Sequence, residues 1–440
     1  MVTENGVRVA DVHVLDGVIL RIAEPREGEA RDEIDARGLV VLPGVVDAHA
    51  HVNEPGRTEW EGWLAATRGA AAGGITTLAD MPLNSIPPTL DADAFDAKYE
   101  AASRSAIVDF ALWGGLVDAN EARLRELAAC GVVGVKAFLC PSGVEEFGHL
   151  REDDLKPALA AAAAAGLLVA AHCEDEATIA LASEQLRGRK DPRSWLESRP
   201  QAAERIAVEQ LGTAARAARA SVHVVHASSE TAITAARRAR QSGAAITIET
   251  CPHYLAFDAD DVDRVGSALK CAPPIRDAAT RERLWQQVMA GGVDLIASDH
   301  SPCTAEMKKR GDEDIWAAWG GVSGLQAMLP VMLTEGVHRR GVSLMHLAQL
   351  LATKPAKLLG LYPRKGAIRT GSDADLVLID LDREWTLDPD HLEARSGISP
   401  YLGMRLKGAI VRTIVRGHPV FADDEVTGKP GDGHFVQRVA

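Results

Sequence analysis

From residue 44 to about residue 360, short apolar segments alternate with alanine-rich segments that have helical spacing. Helical segments such as 201–218 and 230–241 separate the apolar ones. Strands that alternate with helices in this way form parallel βα units. Eight such units predict an α/β fold in which the strands close into a (β/α)8 barrel of the TIM type. The eight candidate strands cover residues 45–52, 75–82, 109–116, 133–139, 167–173, 221–227, 245–251 and 293–298.

The two ends of the chain have a different texture from the middle. Residues 7–22 and 375–421 contain short alternating segments separated by glycine turns, which is the pattern of small antiparallel strands. We therefore expect both termini to pair into one small composite β-sandwich domain. With 440 residues, the chain is long enough for a barrel of about 250 residues and a second domain. The predicted domains are 1–43 with 366–440 for the β-sandwich and 44–365 for the barrel.

Composition limits the partners and the compartment. The formal net charge of −14 would repel a phosphate backbone, so we expect no nucleic-acid partner. The longest apolar run, 158–171, is shorter than the about 20 residues of a membrane span, so we expect no membrane partner. Six cysteines without a Cys-x-x-Cys pair are typical of free thiols. The first six residues show no signal pattern, and we expect a cytoplasmic protein.

Side chains that bind metals follow several of the predicted strands. Residues two apart on a strand point the same way, so His49 and His51 can meet one ion. The alternative is that they are merely two polar residues near a turn. Reactive groups of such barrels lie at the carboxyl ends of the strands, which favours the metal interpretation. Five strands deliver a candidate ligand to this rim: His49 and His51, Lys136, His172, His226, and Asp299.

Four histidines and one aspartate exceed the three protein ligands of a typical catalytic zinc. Two ions would use them all and share an activated water. Lys136 can join them if its amine loses its proton on burial and reacts with carbon dioxide, since the resulting carbamate has two oxygens that bridge the ions. The alternative for Lys136 is an ordinary ion-paired lysine. We predict that His49, His51, Lys136 and Asp299 hold one ion and that Lys136, His172 and His226 hold the other.

This centre predicts metal-assisted amide hydrolysis. The ions activate water and polarise a carbonyl, while Asp299 takes the proton of the water and returns it to the leaving nitrogen. Nitrogen and oxygen ligands suit zinc, with cobalt, manganese or iron as alternatives. Of the neighbouring residues, His223 is expected to face the opposite side of its strand in a packed or surface role, His253 could reach a substrate, and His300 is expected to anchor its strand. Cys173 is interpreted as a core residue rather than a nucleophile.

Several stretches resemble the cyclic amidohydrolases of the amidohydrolase superfamily, and within them the allantoinases. The resemblance extends over nearly the whole chain. It implies the same six ligands with a carboxylated Lys136, two metal ions per subunit, a composite β-sandwich and a homotetramer. Its implied reaction is the opening of the hydantoin ring of allantoin to give allantoate. The stretches that carry it are 43–57 with Trp60-Glu61-Gly62, 80–84, 251–254, 271–277, 298–303 and Trp319-Gly320-Gly321.

Related families differ at substrate contacts. Dihydroorotases typically have an arginine two residues after the second histidine, where this chain has Asn53, an asparagine where it has Leu83, and a histidine where it has Cys303. A site without these groups discriminates against a carboxylated substrate. Hydantoinases and dihydropyrimidinases usually carry a tyrosine where this chain has Pro141. These departures favour allantoin, which is a neutral ring with a ureido arm.

The resemblance also suggests substrate contacts. In the related hydantoinases the ring amide is held by backbone groups, which by position are those of Ala272 and Gly320 here. Asn53 is a candidate for the ureido arm, together with Asn84, Cys140 and Ser301.

Two other functions remain open from the sequence. The first alternative is a hydantoinase or dihydropyrimidinase that acts on another neutral cyclic ureide. The second is a non-catalytic relative that serves as a structural subunit, although such a protein would be free to lose ligands. Residues 301–320, which include Lys308-Lys309-Arg310, are expected to form a loop over the mouth of the site or a plain surface loop.

Overall fold

The computed structural model describes residues 1–26, 28 and 30–438. Residues 27, 29, 439 and 440 of the expected terminal domain lie outside this part. A parallel strand lies within each of the eight predicted ranges, which confirms an α/β fold. The parallel strands, numbered one to eight in chain order, are Val45–Ala50, Ile75–Asp80, Asp109–Leu112 continued by Gly114–Gly115, Val135–Phe138, Val169–His172, Ser221–Val224, Ala245–Thr250 and Leu295–Ile296.

The parallel strands pair in sequence order. Strands one, two and three form one sheet, and the Gly114–Gly115 continuation of strand three begins a second sheet that runs to strand eight. Trp113 lies between the two parts of strand three, and its N–H donates to the Asp80 carbonyl of strand two. Beyond strand eight, an isolated parallel bridge joins His300 to Ala50 of strand one. The first and last strands are thus in register at their carboxyl ends.

Helices connect successive strands and cover their outer faces. Helix Gln201–Ala218 packs inward through one apolar face, because Ala207, Leu211 and Ala215 recur at helical spacing and are fully buried. Asp91 and Asp277 each cap a helix by accepting a backbone N–H. The α-helices are Trp63–Ala72, Ala92–Ser105, Leu124–Cys130, Glu152–Ala164, Glu176–Gln185, Pro192–Ser198, Gln201–Ala218, Glu230–Gln241, Pro252–Ala256, Ala259–Val265, Ala278–Met289, Ala305–Lys309, Met328–Val331, Leu344–Ala348 and Lys354–Leu358.

Irregular helical turns fill several connections. Two of them have π-helical hydrogen bonding, Met332–His338 and Gln349–Thr353. The 3-10 turns are Glu121–Arg123, Gly266–Leu269, Arg310–Asp312, Ile315–Ala317 and Pro389–His391. Residues 301–320, expected to be a loop, therefore contain a short helix and two 3-10 turns. In the described part of the chain, none of the helices combines the length and the apolar character that a membrane span requires.

Segments from both ends of the chain meet in one antiparallel sheet. Strand Val40–Pro43 pairs with Leu376–Thr386, which also pairs with Arg405–Val415. The sheet continues through His418–Ala422 to Glu425–Val426. Further N-terminal strands form two hairpins, and an isolated bridge links Val18 to Asp373. Those hairpins are Val2–Thr3 with Gly6–Val7 and Asp11–Leu15 with Val18–Ala23.

The parallel strands share an apolar interior. Ala48, Ala79, Ala111, Ala170 and Ala297 come from strands one, two, three and five and from the end of strand eight, and they belong to one buried cluster. Small side chains at these positions can pack closely in the interior that the strands share. Their polar carboxyl ends lie next to this interior.

Candidate metal centre

His49 and His51 meet Asp299 where strands one and eight end. The centroids of the two imidazole rings are 5.5 Å apart. Asp299 Oδ1 lies 3.1 Å from His49 Nε2 and 3.7 Å from His51 Nε2. All three residues are buried, and their candidate ligand atoms lie within 4.8 Å of one another. The N–H of His51 donates to the His300 carbonyl at 2.7 Å, which fixes the two strand ends side by side.

His172 and His226 form a second pair next to the first group. His172 Nδ1 and His226 Nε2 are 3.0 Å apart, and the ring centroids are separated by 4.7 Å. The His226 ring lies 5.5 Å from the ring of His49, which joins the two groups. The structure therefore brings all four predicted histidines together with Asp299.

Lys136 is buried in strand four, with only 1% of its surface exposed. Strand four pairs with strand five in register. Lys136 lies opposite Ala170, and Phe138, two residues after Lys136, lies opposite His172. Burial lowers the pKa of Lys136 to about 8, although Asp299 and Glu249 act against this shift. Burial is also the main cause that lowers the pKa of His51 and His226, and the charge of Lys136 lowers both further. Lys136 thus lies within electrostatic reach of both groups.

The donor atoms of this cluster fit divalent metal ions. His49 Nε2 is buried and has no hydrogen-bond partner, although buried imidazole nitrogens normally have one. The two facing nitrogens of His172 and His226 offer a second point where an ion could bind. Imidazole nitrogen and carboxylate oxygen are ligands that suit zinc and its neighbours in the first transition row.

Glu249 of strand seven contacts the candidate site and was not predicted from the sequence. Its Oε1 lies 2.6 Å from His49 Nδ1, and its Oε2 lies 2.9 Å from His223 Nε2. Burial raises the pKa of Glu249, but His49 and His223 outweigh it and hold that pKa well below its usual range. A carboxylate that accepts from a ligand histidine fixes the ring's tautomer and orientation. The available sequence signal was that Glu249 is the one charged residue of strand Ala245–Thr250.

Glu174 plays a similar part at the second pair and was also missed. Its Oε2 lies 2.8 Å from His172 Nε2 and accepts from Arg199 Nη1 at 2.8 Å. Burial raises the pKa of Glu174, but Arg199 and His172 outweigh it and the net shift is downward. Since Nε2 of His172 is engaged, Nδ1 is the nitrogen that faces His226. The sequence signal for Glu174 was its position as an acidic residue two positions after the strand-end histidine His172.

Asp47 aligns the two strands that carry the first group. It accepts hydrogen bonds from the N–H of Ser298 at 3.0 Å and from the N–H of His49 at 3.3 Å. Burial raises the pKa of Asp47 to about 6. These bonds fix the residue before Asp299 relative to strand one.

The remaining rim residues lie largely where the sequence placed them. His223 is fully buried and bonded to Thr247 and Glu249, as expected of a packed residue. His300 Nδ1 accepts from the N–H groups of Gly324 and Leu325, which anchors the strand end.

His253 and Cys173 are both buried beside the centre. Neither ring nitrogen of His253 has a partner, one of them lies within 4.8 Å of an Asp299 oxygen, and burial lowers the pKa of His253 to about 3. Burial raises the pKa of the Cys173 thiol, which fits an unreactive core residue.

The suggested substrate contacts differ in burial and in their hydrogen-bond partners. Asn53 is buried, and its Nδ2 donates to the Pro302 carbonyl at 3.1 Å while its Oδ1 has no partner. Ala272 is half-buried, Gly320 is exposed, and a Cβ added at Gly320 would meet no atom within 4 Å. The other three candidates, Asn84, Cys140 and Ser301, are buried.

Two buried lysines hold the 301–320 segment. Lys308 Nζ donates to the carbonyls of Trp319 and Gly321 at 3.0 and 2.6 Å. Lys270 Nζ donates to the carbonyls of Trp316 and Ala318 at 3.2 and 2.6 Å. Burial lowers the pKa of Lys270 to about 7 and that of Lys308 to about 8. The segment is therefore fastened through its backbone and is not a loose surface loop.

Comparison with curated proteins finds allantoinases. The chain is 47% identical to the allantoinase of Rubrobacter xylanophilus, over 99% of this chain and 96% of that protein. It is 46% identical to the allantoinase of Solibacter usitatus, over 98% of this chain and 94% of that protein. For the allantoinase of Deinococcus radiodurans the identity is 43%, over 98% and 95% of the two chains.

Among solved structures, the fold is similar to an L-hydantoinase (dihydropyrimidinase) from Arthrobacter aurescens. The TM-score is 0.97 with 36% identity, and the match covers 99% of this chain and 98% of that one. A dihydropyrimidinase from Brevibacillus agri matches with a TM-score of 0.92 and 29% identity, over 99% and 96% of the two chains. The model of the Amidohydrolase family matches residues 40–420. The chain belongs to the amidohydrolase family.

Proposed function

We propose that this chain hydrolyses the ring amide of allantoin and releases allantoate. The observation that carries the proposal is the convergence of four imidazoles and one carboxylate at the carboxyl ends of four parallel strands, with the buried Lys136 within electrostatic reach of them. The allantoinase names of relatives that match nearly the whole chain support this choice of substrate.

Two divalent metal ions, zinc first, would be held by these side chains. His49, His51 and Asp299 would hold one ion and His172 and His226 the other, with Lys136 shared after its amine has reacted with carbon dioxide. Burial of Lys136 among these residues supports that reaction, because a neutral amine is the form that reacts. When bound, such ions polarise a carbonyl and lower the pKa of water.

Asp299 is proposed to move the proton of the reaction. The oxygen of water attacks the ring carbonyl carbon, the carbon–nitrogen bond breaks, and the nitrogen leaves with a proton. Asp299 accepts that proton from the water and returns it to the nitrogen. Its Oδ1 faces His49 and His51, which supports this role.

The substrate contacts support a neutral ring. Asn53 stands where dihydroorotases carry an arginine, and its unpartnered Oδ1 can accept from a ureido N–H. The backbone groups of Ala272 and Gly320 are proposed to hold the ring amide.

A second candidate is hydrolysis of another neutral cyclic ureide. The similarity to the Arthrobacter aurescens L-hydantoinase (dihydropyrimidinase), with a TM-score of 0.97, favours it. Pro141 stands where those enzymes usually carry a tyrosine. This difference leaves room for the ureido arm and therefore favours allantoin over the smaller ureides.

A substrate panel separates these functions. Purified zinc-loaded protein is assayed with allantoin, hydantoin, dihydrouracil and dihydroorotate at equal concentrations. We expect turnover of allantoin and little of the other three. Faster turnover of hydantoin or dihydrouracil would establish the second candidate. Loss of all four activities in protein that retains its metal would contradict an enzymatic function.

The finer architecture belongs to the same proposal. We infer that residues 44–365 form a closed (β/α)8 barrel, which the bridge between Ala50 and His300 supports. Residues 1–43 and 366–440 would form the composite β-sandwich, supported by the pairing of Val40–Pro43 with Leu376–Thr386. A homotetramer follows from the resemblance alone. Six free thiols support a cytoplasmic location.

A further inference from the structure

One buried carboxylate contacts residues that belong to both proposed metal sites. Glu249, which is 1% exposed, reaches the His49 ring and the backbone of His226 with the same oxygen. We propose that Glu249 is a positioning residue that links the two metal sites, so that its loss weakens the binding of both ions. The inference rests on the proposed function, because it requires a centre with two ions.

The contact with His49 sets which nitrogen faces the metal. Glu249 Oε1 lies 2.6 Å from His49 Nδ1, so Nδ1 carries the proton and donates it. Nε2 is then left as the free lone pair, and it is this atom that lies 3.1 Å from Asp299. Without Glu249 the ring could turn or exchange tautomers, and Nε2 would no longer be held in the form that binds a cation.

The contact with His226 acts on the backbone. The N–H of His226 donates to the same Oε1 at 3.1 Å. His226 has a φ of 42°, in the left-handed region that residues other than glycine rarely adopt. Its side chain direction therefore depends on a backbone conformation that the Glu249 bond holds. This is how one carboxylate on strand seven reaches the second pair.

Other side chains hold Glu249 itself in place. His223 Nε2 lies 2.9 Å from Oε2, and His223 Nδ1 lies 2.8 Å from Thr247 Oγ1. Both oxygens of the carboxylate are thus engaged, and the group has little freedom to turn.

Glu174 provides a matched comparison within the same chain. It is also a fully buried glutamate bonded to a ligand histidine, with 2.8 Å between its Oε2 and His172 Nε2. Its other partner is Arg199, which belongs to neither proposed site. Replacement of Glu174 should therefore affect one ion, whereas replacement of Glu249 should affect two.

Cobalt titration tests this difference. Metal-free wild type, Glu249→Leu and Glu174→Leu are titrated with Co²⁺ in bicarbonate buffer, with visible absorption and a competing chelator to obtain both dissociation constants. We expect both constants to rise about tenfold to a hundredfold in Glu249→Leu, and only one in Glu174→Leu. Glu249→Gln keeps an oxygen that can accept from His49 and His226, so it should recover part of the affinity at both sites.

The outcomes are distinguishable. If Glu249→Leu weakens only one ion, or if its pattern equals that of Glu174→Leu, the link between the sites is wrong. If Glu249→Leu shows no cooperative thermal unfolding, Glu249→Gln carries the test: both constants should still rise, by a smaller factor, because the charge is lost. Wild-type affinity in Glu249→Gln would then overturn the inference. Wild type that binds fewer than two ions would overturn the proposed metal centre itself.

Discussion

Clusters of ionisable side chains are buried at both ends of the parallel strands, and they differ in whether the chain supplies their counter-ions. At the amino end, the carboxylates of Asp109, Asp373 and Asp375 have oxygens close enough to one another to hold an ion. Lys365 already lies among them, with Nζ at 2.5, 2.8 and 2.8 Å from their oxygens. Arg416 contacts Asp109 as well. This cluster is compensated by cations of the chain itself.

The carboxyl end is not closed in this way. His49 Nε2 and both ring nitrogens of His253 are buried without a hydrogen-bond partner. Burying polar groups without partners costs free energy, and a bound ligand at this end would offset that cost. The comparison shows that a group of ligand-type residues indicates a function only when the chain does not supply its own counter-ion. We therefore assign a stabilising role to the amino-end cluster and propose that the carboxyl end is the binding site.

The largest expected effect is on catalysis at the carboxyl end. Asp299→Asn should lower kcat with allantoin by about 10²- to 10⁴-fold, because the proton acceptor is lost. Thermal unfolding should change little. Asp375→Asn is the control at the amino end and should leave kcat per folded molecule unchanged. Near-normal turnover by Asp299→Asn would remove that residue from the proton transfer.

Metal content gives the next prediction. Lys136→Ala should bind fewer ions than wild type after loading with zinc and bicarbonate, as measured by mass spectrometry of the metals. The reason is that the shared ligand is lost while His49 and His172 remain. Lys365→Ala, another buried lysine, should retain the wild-type metal content in its folded fraction. Unchanged metal content in Lys136→Ala would rule out the shared carbamate.

Substitution of Lys365 in the amino-end cluster should lower the free energy of unfolding. Lys365→Met leaves three buried carboxylates without their central cation, and removal of one partner of a buried ion pair costs about 3–5 kcal/mol. Denaturant unfolding should show a loss of this size, with KM for allantoin unchanged. Lys357→Met, at a half-exposed lysine paired with Glu4, should cost far less. Equal stability of both variants would show that the cluster does not depend on Lys365.

The smallest effect concerns the pH dependence of stability near the rim. Burial holds the pKa of Lys270 at about 7 in the folded protein, against 10.5 for the free side chain. The pKa of Lys270 is therefore lower in the folded protein than in the unfolded chain. The contribution of Lys270 to the free energy of unfolding is full above pH 10.5 and is lost progressively as the pH falls from 10.5 to 7.

Between pH 10 and 7, wild type should therefore lose stability by an amount on the order of 3 kcal/mol more than Lys270→Met does. Lys308, whose pKa is also lowered, should maintain part of the dependence in the variant. Thermal unfolding at a series of pH values measures the difference. Parallel curves for the two proteins would contradict a buried, readily deprotonated Lys270.

The sequence was informative where function follows local pattern. All eight parallel strands lie inside their predicted ranges, and the helices Gln201–Ala218 and Glu230–Gln241 have the predicted bounds. Apolar runs between amphipathic helices are local signals, and the carboxyl-end rule turns strand order into a set of converging residues. The grouping of His49 and Asp299 therefore needed no structural information.

Other features depend on which strands become neighbours. Glu249 bonds His49 from a residue 200 positions away, and Lys365 meets Asp109 across 256 positions, so no local pattern contains these contacts. Alternation along a strand also failed to describe His226. Its strand ends at Val224, and its left-handed backbone sets the side chain direction independently of the pleat.

Anomalous diffraction at the zinc edge from crystals of the zinc-loaded protein tests the central claim most directly. The account predicts two zinc peaks per subunit, bounded by His49, His51, Lys136, His172, His226 and Asp299, with none at the amino end. A difference map should show a carbamate on Lys136. A peak among Asp109, Asp373 and Asp375, or no zinc beside the four imidazoles, would contradict it.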